Sequence, residues 1–197
     1  MIRCYEPEDA PLLKAAVDSS IEHLLPWMPW ARFEPQSVED KVDLLRSFRG
    51  QFDLDQQYIY GIFSADETEQ LGGSGFHKRA NEGSLEIGYW VAASAIGRGI
   101  ATEVTAVQTR AGFELAGLDR IDIQVEPTND RSLAIPRKLG FTEEGTLRRR
   151  LEPHEAGPLR DSTVFSMLRE ELEGSPCMQY DYIAYDVVGE RLTAGAA

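Results

Sequence analysis

A junction between a strand and a helix carries the clearest chemistry in the chain. Leu85-Glu86-Ile87-Gly88-Tyr89-Trp90-Val91 runs through Ala92 to Ile96 into Gly97-Arg98-Gly99-Ile100-Ala101-Thr102. Glycines at a helix opening remove side chains, so successive backbone N–H groups can converge on an anion at the positive end of the helix. Arg98 would add a charge-assisted contact. The ligand expected there is a phosphate or a pyrophosphate. Many helix starts use glycine merely to turn the chain, so the junction by itself does not select between the two uses.

Two other phosphate-binding patterns fit poorly. Neither this junction nor Leu71-Gly72-Gly73-Ser74-Gly75 carries the Gly-Lys-Ser/Thr of a P-loop. Thr102 stands where a dinucleotide fingerprint has its third glycine, and several strands precede the segment.

The elements that must position the junction follow from apolar spacing. Ile2 to Tyr5 reads as a short strand, and Glu6-Pro7-Glu8-Asp9 opens a helix, with Pro and acids suited to its first turn. Leu12/Leu13, Ala16/Val17, Ser20/Ile21 and Leu24/Leu25 give that helix one apolar face, and Pro26 and Pro29 end it. Ser37-Val38-Glu39-Asp40 starts a second helix that carries Val42, Leu45, Phe48 and Phe52. Strands are expected at Tyr58–Phe63, Leu71–His77 and Ser84–Val91, the last with Leu85, Ile87, Tyr89 and Val91 on one face and Glu86, Gly88 and Trp90 on the other.

A helix from about Gly99 to Leu115 comes next, and then Ile121, Ile123 and Val125 alternate with Asp122, Gln124 and Glu126. Asn129 to Leu139 reads as a short helix with Gly140 as its left-handed cap, followed by strands at Glu144–Leu151 and Asp161–Leu168. The order predicts an α/β domain with a mixed, largely antiparallel sheet and helices on both faces. It spans residues 1–173. The composition shifts at Gly174-Ser175-Pro176, which sets off a C-terminal extension of residues 174–197, where Tyr180 to Val188 could add a strand.

Composition excludes more than it selects. Apolar residues make up 42% and charged residues 27%, as in a globular protein. The net charge of −13 argues against nucleic acid as a partner, because phosphate neutralisation needs a basic face. An acidic surface would steer a cationic substrate, although it also simply keeps a protein soluble. The early charges and proline do not resemble a secretory segment, and no apolar stretch reaches membrane-spanning length, so a cytoplasmic location is expected. Cys4 and Cys177 read as reduced, structural thiols. His23, His77 and His154 lack metal-ligand spacing, so no metal is expected.

The sequence resembles the GNAT superfamily of N-acetyltransferases, within it the RimJ/RimL type. The likeness rests on Glu86-Ile-Gly-Tyr-Trp-Val, Gly97-Arg-Gly-Ile-Ala-Thr-Glu103, Asn129-Asp-Arg-Ser132 and Arg137-Lys-Leu-Gly-Phe-Thr-Glu-Glu-Gly145, in the order and spacing of that family. It covers roughly Ile2 to Glu173. The resemblance implies that amides of Gly97, Arg98, Gly99, Ile100, Ala101 and Thr102 hold the pyrophosphate of coenzyme A. Trp90 and Val91 would pair with the pantetheine arm, and a strand-end N–H near Val91 would face the thioester oxygen. Asn129 and Ser132 would meet the pantetheine or thiol end, in a gap between the Ser84–Val91 and Ile121–Glu126 strands.

Two departures stand out. Ile96 occupies a position where the family usually has Gln or Arg. Pro136 aligns with the tyrosine that many members use to protonate the departing thiolate, which leaves Ser132 or a water for that role; it should also kink its helix.

Within this reading, Glu86 is a candidate proton acceptor, since an amine is mostly protonated at neutral pH. A salt-bridged or solvated strand glutamate is the plain alternative. Trp27, Trp30, His77 and Tyr89 are candidate walls of the acceptor pocket, with ordinary packing as the alternative for each. Arg148-Arg149-Arg150 reads as exposed strand, and Asp161 as a turn residue. The implied partners are acetyl-CoA and an amine acceptor, either a small molecule or a protein N-terminus, with room for a homodimer and no part for membrane. A catalytically silent acetyl-CoA sensor would use the same loop without Glu86, and a nucleotide-binding protein is the third reading.

Overall fold

The computed structural model describes residues 1–78, 83–153 and 157–193. Nine strands are formed among them: β1 Ile2–Cys4, β2 Tyr58–Phe63, β3 Gln70–Lys78, β4 Ser84–Val91, β5 Arg120–Val125, β6 Thr142–Leu151, β7 Arg160–Leu168, β8 Ala184–Tyr185 and β9 Arg191–Leu192. The helices are α1 Ala10–Asp18, α2 Ile21–Leu24, α3 Val38–Asp53, α4 Ile100–Glu114 and α5 Asp130–Leu139. The main sheet runs β1-β2-β3-β4-β5-β7-β6, and only β4 and β5 are parallel. This is the mixed, mostly antiparallel sheet that the element order predicts.

Strand alternation divides the core between two faces. On one face Ile87, Ile121, Ile123, Phe165 and Met167 pack with Ala106 and Phe113 of α4 and with Leu133 and Leu139 of α5. On the other, Tyr5 and Phe63 pack with Leu13 and Val17 of α1 and Leu45 of α3, and Trp90 joins them. β4 therefore splits as its sequence indicates, with Leu85, Ile87 and Tyr89 toward α4 and α5 and Trp90 toward α1 and α3.

The capping signals hold. Ser37 Oγ accepts from the Asp40 amide at 3.0 Å while Asp40 accepts from the Ser37 amide, closing a reciprocal cap at the start of α3. Gly140 caps α5 at φ 85°. The first helix differs from expectation. Its apolar stripe continues to Leu25, but the helix breaks at Ser20, whose buried hydroxyl turns back to the Ala16 carbonyl at 2.6 Å and accepts from the Ala93 amide at 2.9 Å. That break ties α1 to the segment joining β4 and α4. In the extension, β8 and β9 pair with each other in a separate two-stranded sheet. No helix of the described residues is long and apolar enough to cross a membrane.

Candidate active site

The site begins where two neighbouring strands part. β4 and β5 pair through Ser84↔Arg120, Leu85↔Ile121 and Glu86↔Asp122, and the pairing goes no further. β4 runs on to Val91 against β3, and β5 runs on to Val125 against β7. Each strand stays with its outer neighbour, so a gap opens between them beyond Glu86. The Ala92 amide donates to the Leu71 carbonyl of the β3 side at 2.8 Å. Backbone groups alternate along an antiparallel ladder, so the Val91 N–H points the opposite way, into the gap.

A cavity of about 930 Å3 occupies this region. From the α1–α3 side it is lined by Trp27, Trp30, His77, Glu86 and Trp90, and from the α5 side by Tyr89, Asn129 and Ser132. Residues on both faces of the sheet thus border one space. Glu86 is buried, 8% exposed, and accepts a hydrogen bond from Gln124 Nε2 at 2.8 Å; Gln124 in turn accepts from Ser162 Oγ at 3.1 Å. This chain fixes the carboxylate at the start of the gap. His77 sits opposite Glu86 on β3, and a Cβ at Gly88 would meet its Nε2 at 3.0 Å. Glycine at 88 therefore makes room for the imidazole against β4. Trp30 packs edge-on to Trp90 with ring centroids 5.8 Å apart.

On the α5 side, the Tyr89 hydroxyl lies 3.0 Å from Ser132 Oγ. Burial pushes the Tyr89 phenol up to about 12. Asn129 caps α5 by accepting from the Ser132 amide at 3.2 Å. The helix continues through Pro136 to Leu139.

The other half of the candidate site is the start of α4. Gly97 and Gly99 hold φ 77° and 80°, where an L side chain is strained, and a Cβ at either would meet nothing within 4 Å. Backbone conformation, not crowding, requires glycine here. The Glu103 amide bonds to the Gly99 carbonyl at 3.0 Å, while the amides of the helix opening before it have no acceptor within the helix. Ile96, Gly97, Arg98 and Gly99 are exposed, Ile100 and Ala101 are half-buried, and Thr102 is buried. These residues could hold an anion at the helix opening, separate from the lining of the large cavity and joined to it by the end of β4. The coenzyme's diphosphate fits this geometry, and the gap beside Val91 fits an extended arm.

Several lining residues were not singled out from sequence. Lys41 and Glu34 form an ion pair in which both side chains are almost fully enclosed, and Arg160 pairs with Glu126 at the β5 side of the cavity. Lys41 occupies the apolar stripe of α3, four residues before Leu45, and its type masked its burial. Alternation put Gln124 on one face of its strand with Asp122 and Glu126, but its contact with Glu86 on the neighbouring strand was not read from sequence.

His23 does not border the cavity; burial, together with the nearby Arg131 charge, holds its pKa below the ordinary histidine value. Arg148 to Arg150 are exposed, and Arg150 lines the cavity, away from the α4 start. The Asp161 carboxylate accepts from the Arg149 amide at 2.8 Å, where Arg149 holds φ 54°. His154 lies outside the described residues.

Comparison with known proteins agrees with this fold. Residues 1–142 match the acetyltransferase (GNAT) domain family. YoaA of Bacillus subtilis, named an uncharacterized N-acetyltransferase, is 30% identical over 135 residues, 68% of this chain and 75% of that protein. YdaF of Bacillus subtilis, provisionally named a ribosomal N-acetyltransferase, is 28% identical over 182 residues, 88% of this chain and 93% of that protein. The structure of Mycobacterium smegmatis RimJ in complex with a CoA-disulfide superposes with a TM-score of 0.77 at 28% identity, covering 90% of this chain and 86% of that one. The chain belongs to the GNAT family, on its RimJ/RimL-like side, and is an acetyl-CoA-dependent N-acetyltransferase.

Proposed function

We propose that this enzyme moves the acetyl group of acetyl-CoA onto a primary amine by direct attack within a ternary complex, in the cytoplasm. The acceptor is a small amine or the N-terminus of a protein, with its amine-bearing group in the cavity walled by Trp27 and Trp30. The observation that carries the reading is the end of β4–β5 pairing at Glu86↔Asp122, which places a buried carboxylate at the start of the gap.

Position supports each role. Amides from Gly97 to Thr102, with Arg98, hold the diphosphate at the helix opening. The Val91 backbone, on the edge that β5 leaves unpaired, pairs with the pantetheine arm, while Trp90 turns its backbone groups to β3 and only borders the arm; Asn129 and Ser132 approach its thiol end. Val91 N–H is placed to donate to the thioester carbonyl oxygen as negative charge develops on it. Glu86 accepts the amine's proton, directly or through water, so that the nitrogen lone pair can attack. His77 and Tyr89 border the acceptor and the gap. As the carbon–sulfur bond breaks, its electron pair goes to sulfur, and the Ser132 hydroxyl donates to it. A thiolate with an ordinary pKa near ~8.5 then takes its proton on release.

Release of free coenzyme A thiol in the presence of a panel of small amines and N-terminal peptides tests the proposal. Amine-dependent thiol release supports transfer. Saturable acetyl-CoA binding with no release for any amine would instead establish a sensor.

A further inference from the structure

We infer that Tyr89 is a positioning residue for Ser132: its phenol donates to the serine oxygen and leaves the serine's own hydrogen for the departing sulfur. This rests on the assignment of Ser132 as the group facing the sulfur.

The first support is the arrangement of one turn of α5. Proline has no N–H, so Pro136 cannot make the usual helical bond to the carbonyl four residues earlier, which belongs to Ser132. The Tyr89 hydroxyl reaches this turn from β4, 3.0 Å from Ser132 Oγ and 3.4 Å from the Ser132 carbonyl oxygen. Pro136 thus clears a helix face that a phenol from the sheet approaches. Tyr89 also lies on the stretch of β4 past Glu86, which no longer pairs with β5. Both Tyr89 and Ser132 border the cavity there.

The second support is the direction of the shared proton. Either oxygen could donate by geometry alone. A phenol is a far stronger acid than an aliphatic hydroxyl, so the favoured donor is Tyr89 and the favoured acceptor is Ser132. Burial keeps the phenol protonated well above neutral pH, so this donor persists through the working range. With its lone pair engaged, the Ser132 hydroxyl can turn its hydrogen toward the cavity. Tyr89 itself exchanges no proton with the substrate.

The test is steady-state kinetics of Tyr89→Phe, Ser132→Ala and the double variant, with melting curves for each. Phe keeps the ring and removes only the hydroxyl. Tyr89→Phe is expected to lower kcat about tenfold, the scale of one hydrogen bond, with KM for acetyl-CoA within twofold of wild type. The double variant should be no slower than Ser132→Ala alone, because the two side chains act as one unit. Losses that multiply in the double variant, or wild-type kcat in Tyr89→Phe beside a slow Ser132→Ala, overturn the inference alone. Wild-type kcat in Ser132→Ala overturns the Ser132 assignment and this inference with it. Absence of amine-dependent turnover in the wild-type enzyme defeats the proposed transfer itself. If Tyr89→Phe melts early, Tyr89→Phe/Ser132→Ala coupling measured well below its melting point still decides the point.

Discussion

Gln124 Nε2 donates to Glu86 Oε2 at 2.8 Å across the point where β4 and β5 part, two residues past the last paired residue of β5. The bond joins the diverging strands and aims the carboxylate at the same time. In the proposed role of base, a carboxylate held this way would need no reorganisation when the amine arrives.

Glu86→Gln preserves the size of the side chain and removes its basicity. kcat should fall by about 100-fold or more with acetyl-CoA affinity unchanged. Stopped-assay kinetics paired with calorimetric binding measure the two quantities separately. A change of only a few-fold in kcat would reassign Glu86 to a structural role.

Gly99→Val puts a β-branched residue at φ 80°. The side chain has open space, so the cost is conformational, about 1–2 kcal/mol. Misaimed amides at the α4 start should weaken acetyl-CoA about tenfold, the worth of one lost hydrogen bond. Isothermal titration of the variant reads this, and unchanged affinity contradicts the assigned grip.

Trp27 and Trp30 both line the cavity proposed to hold the acceptor, and Trp30 also packs on Trp90, so Trp27→Ala is the cleaner probe. KM for the amine should rise at least about tenfold, in line with about 1.5–3 kcal/mol for removing a large apolar side chain that a bound ligand buries. KM for acetyl-CoA should stay within twofold. Equal changes in both would place Trp27 outside the acceptor pocket.

The enclosed Lys41–Glu34 pair, with 2% and 3% side-chain exposure, predicts a strong asymmetry between single and double changes. Lys41→Met leaves a buried carboxylate without its cation and should cost about 3–5 kcal/mol. Lys41→Met with Glu34→Gln should recover much of that loss. Urea unfolding of the three proteins decides it, and a mild single variant would contradict the burial of the pair.

Tyr60 and Tyr89 both hold their protons to about 12, chiefly through burial, against an ordinary value of 10.0. The unfolded chain therefore loses these protons first as pH rises. The stabilisation they contribute is complete below pH 10 and is lost progressively between 10 and 12. Tyr89→Phe should make the alkaline limb of the stability curve shallower. An unchanged slope would show that Tyr89 titrates normally.

Much of this arrangement was legible in sequence because alternation and capping are local. The period of two in Ser84–Val91 and Ile121–Val125 assigned faces correctly, and Gly140 marked the end of α5. Pairing partners are not local. Nothing in the residues of β4 announces that its bond to β5 stops at Glu86; the gap was expected only through resemblance. The Ser20 break was hidden because the apolar spacing runs on past it, while the competing bond comes from the Ala93 amide, far along the chain. Lys41 was hidden by its charge, which its partner Glu34 offsets from outside the helix. Pro136 was expected to disturb α5, and the Tyr89 hydroxyl that reaches the same turn lies on another element.

A crystal structure with coenzyme A bound tests the central claim most directly. The diphosphate should lie on the amides between Gly97 and Thr102 and the sulfur in the β4–β5 gap, between Val91 and Ser132 and within reach of the cavity that holds Glu86. A diphosphate seated elsewhere, or a sulfur outside that gap, would contradict it.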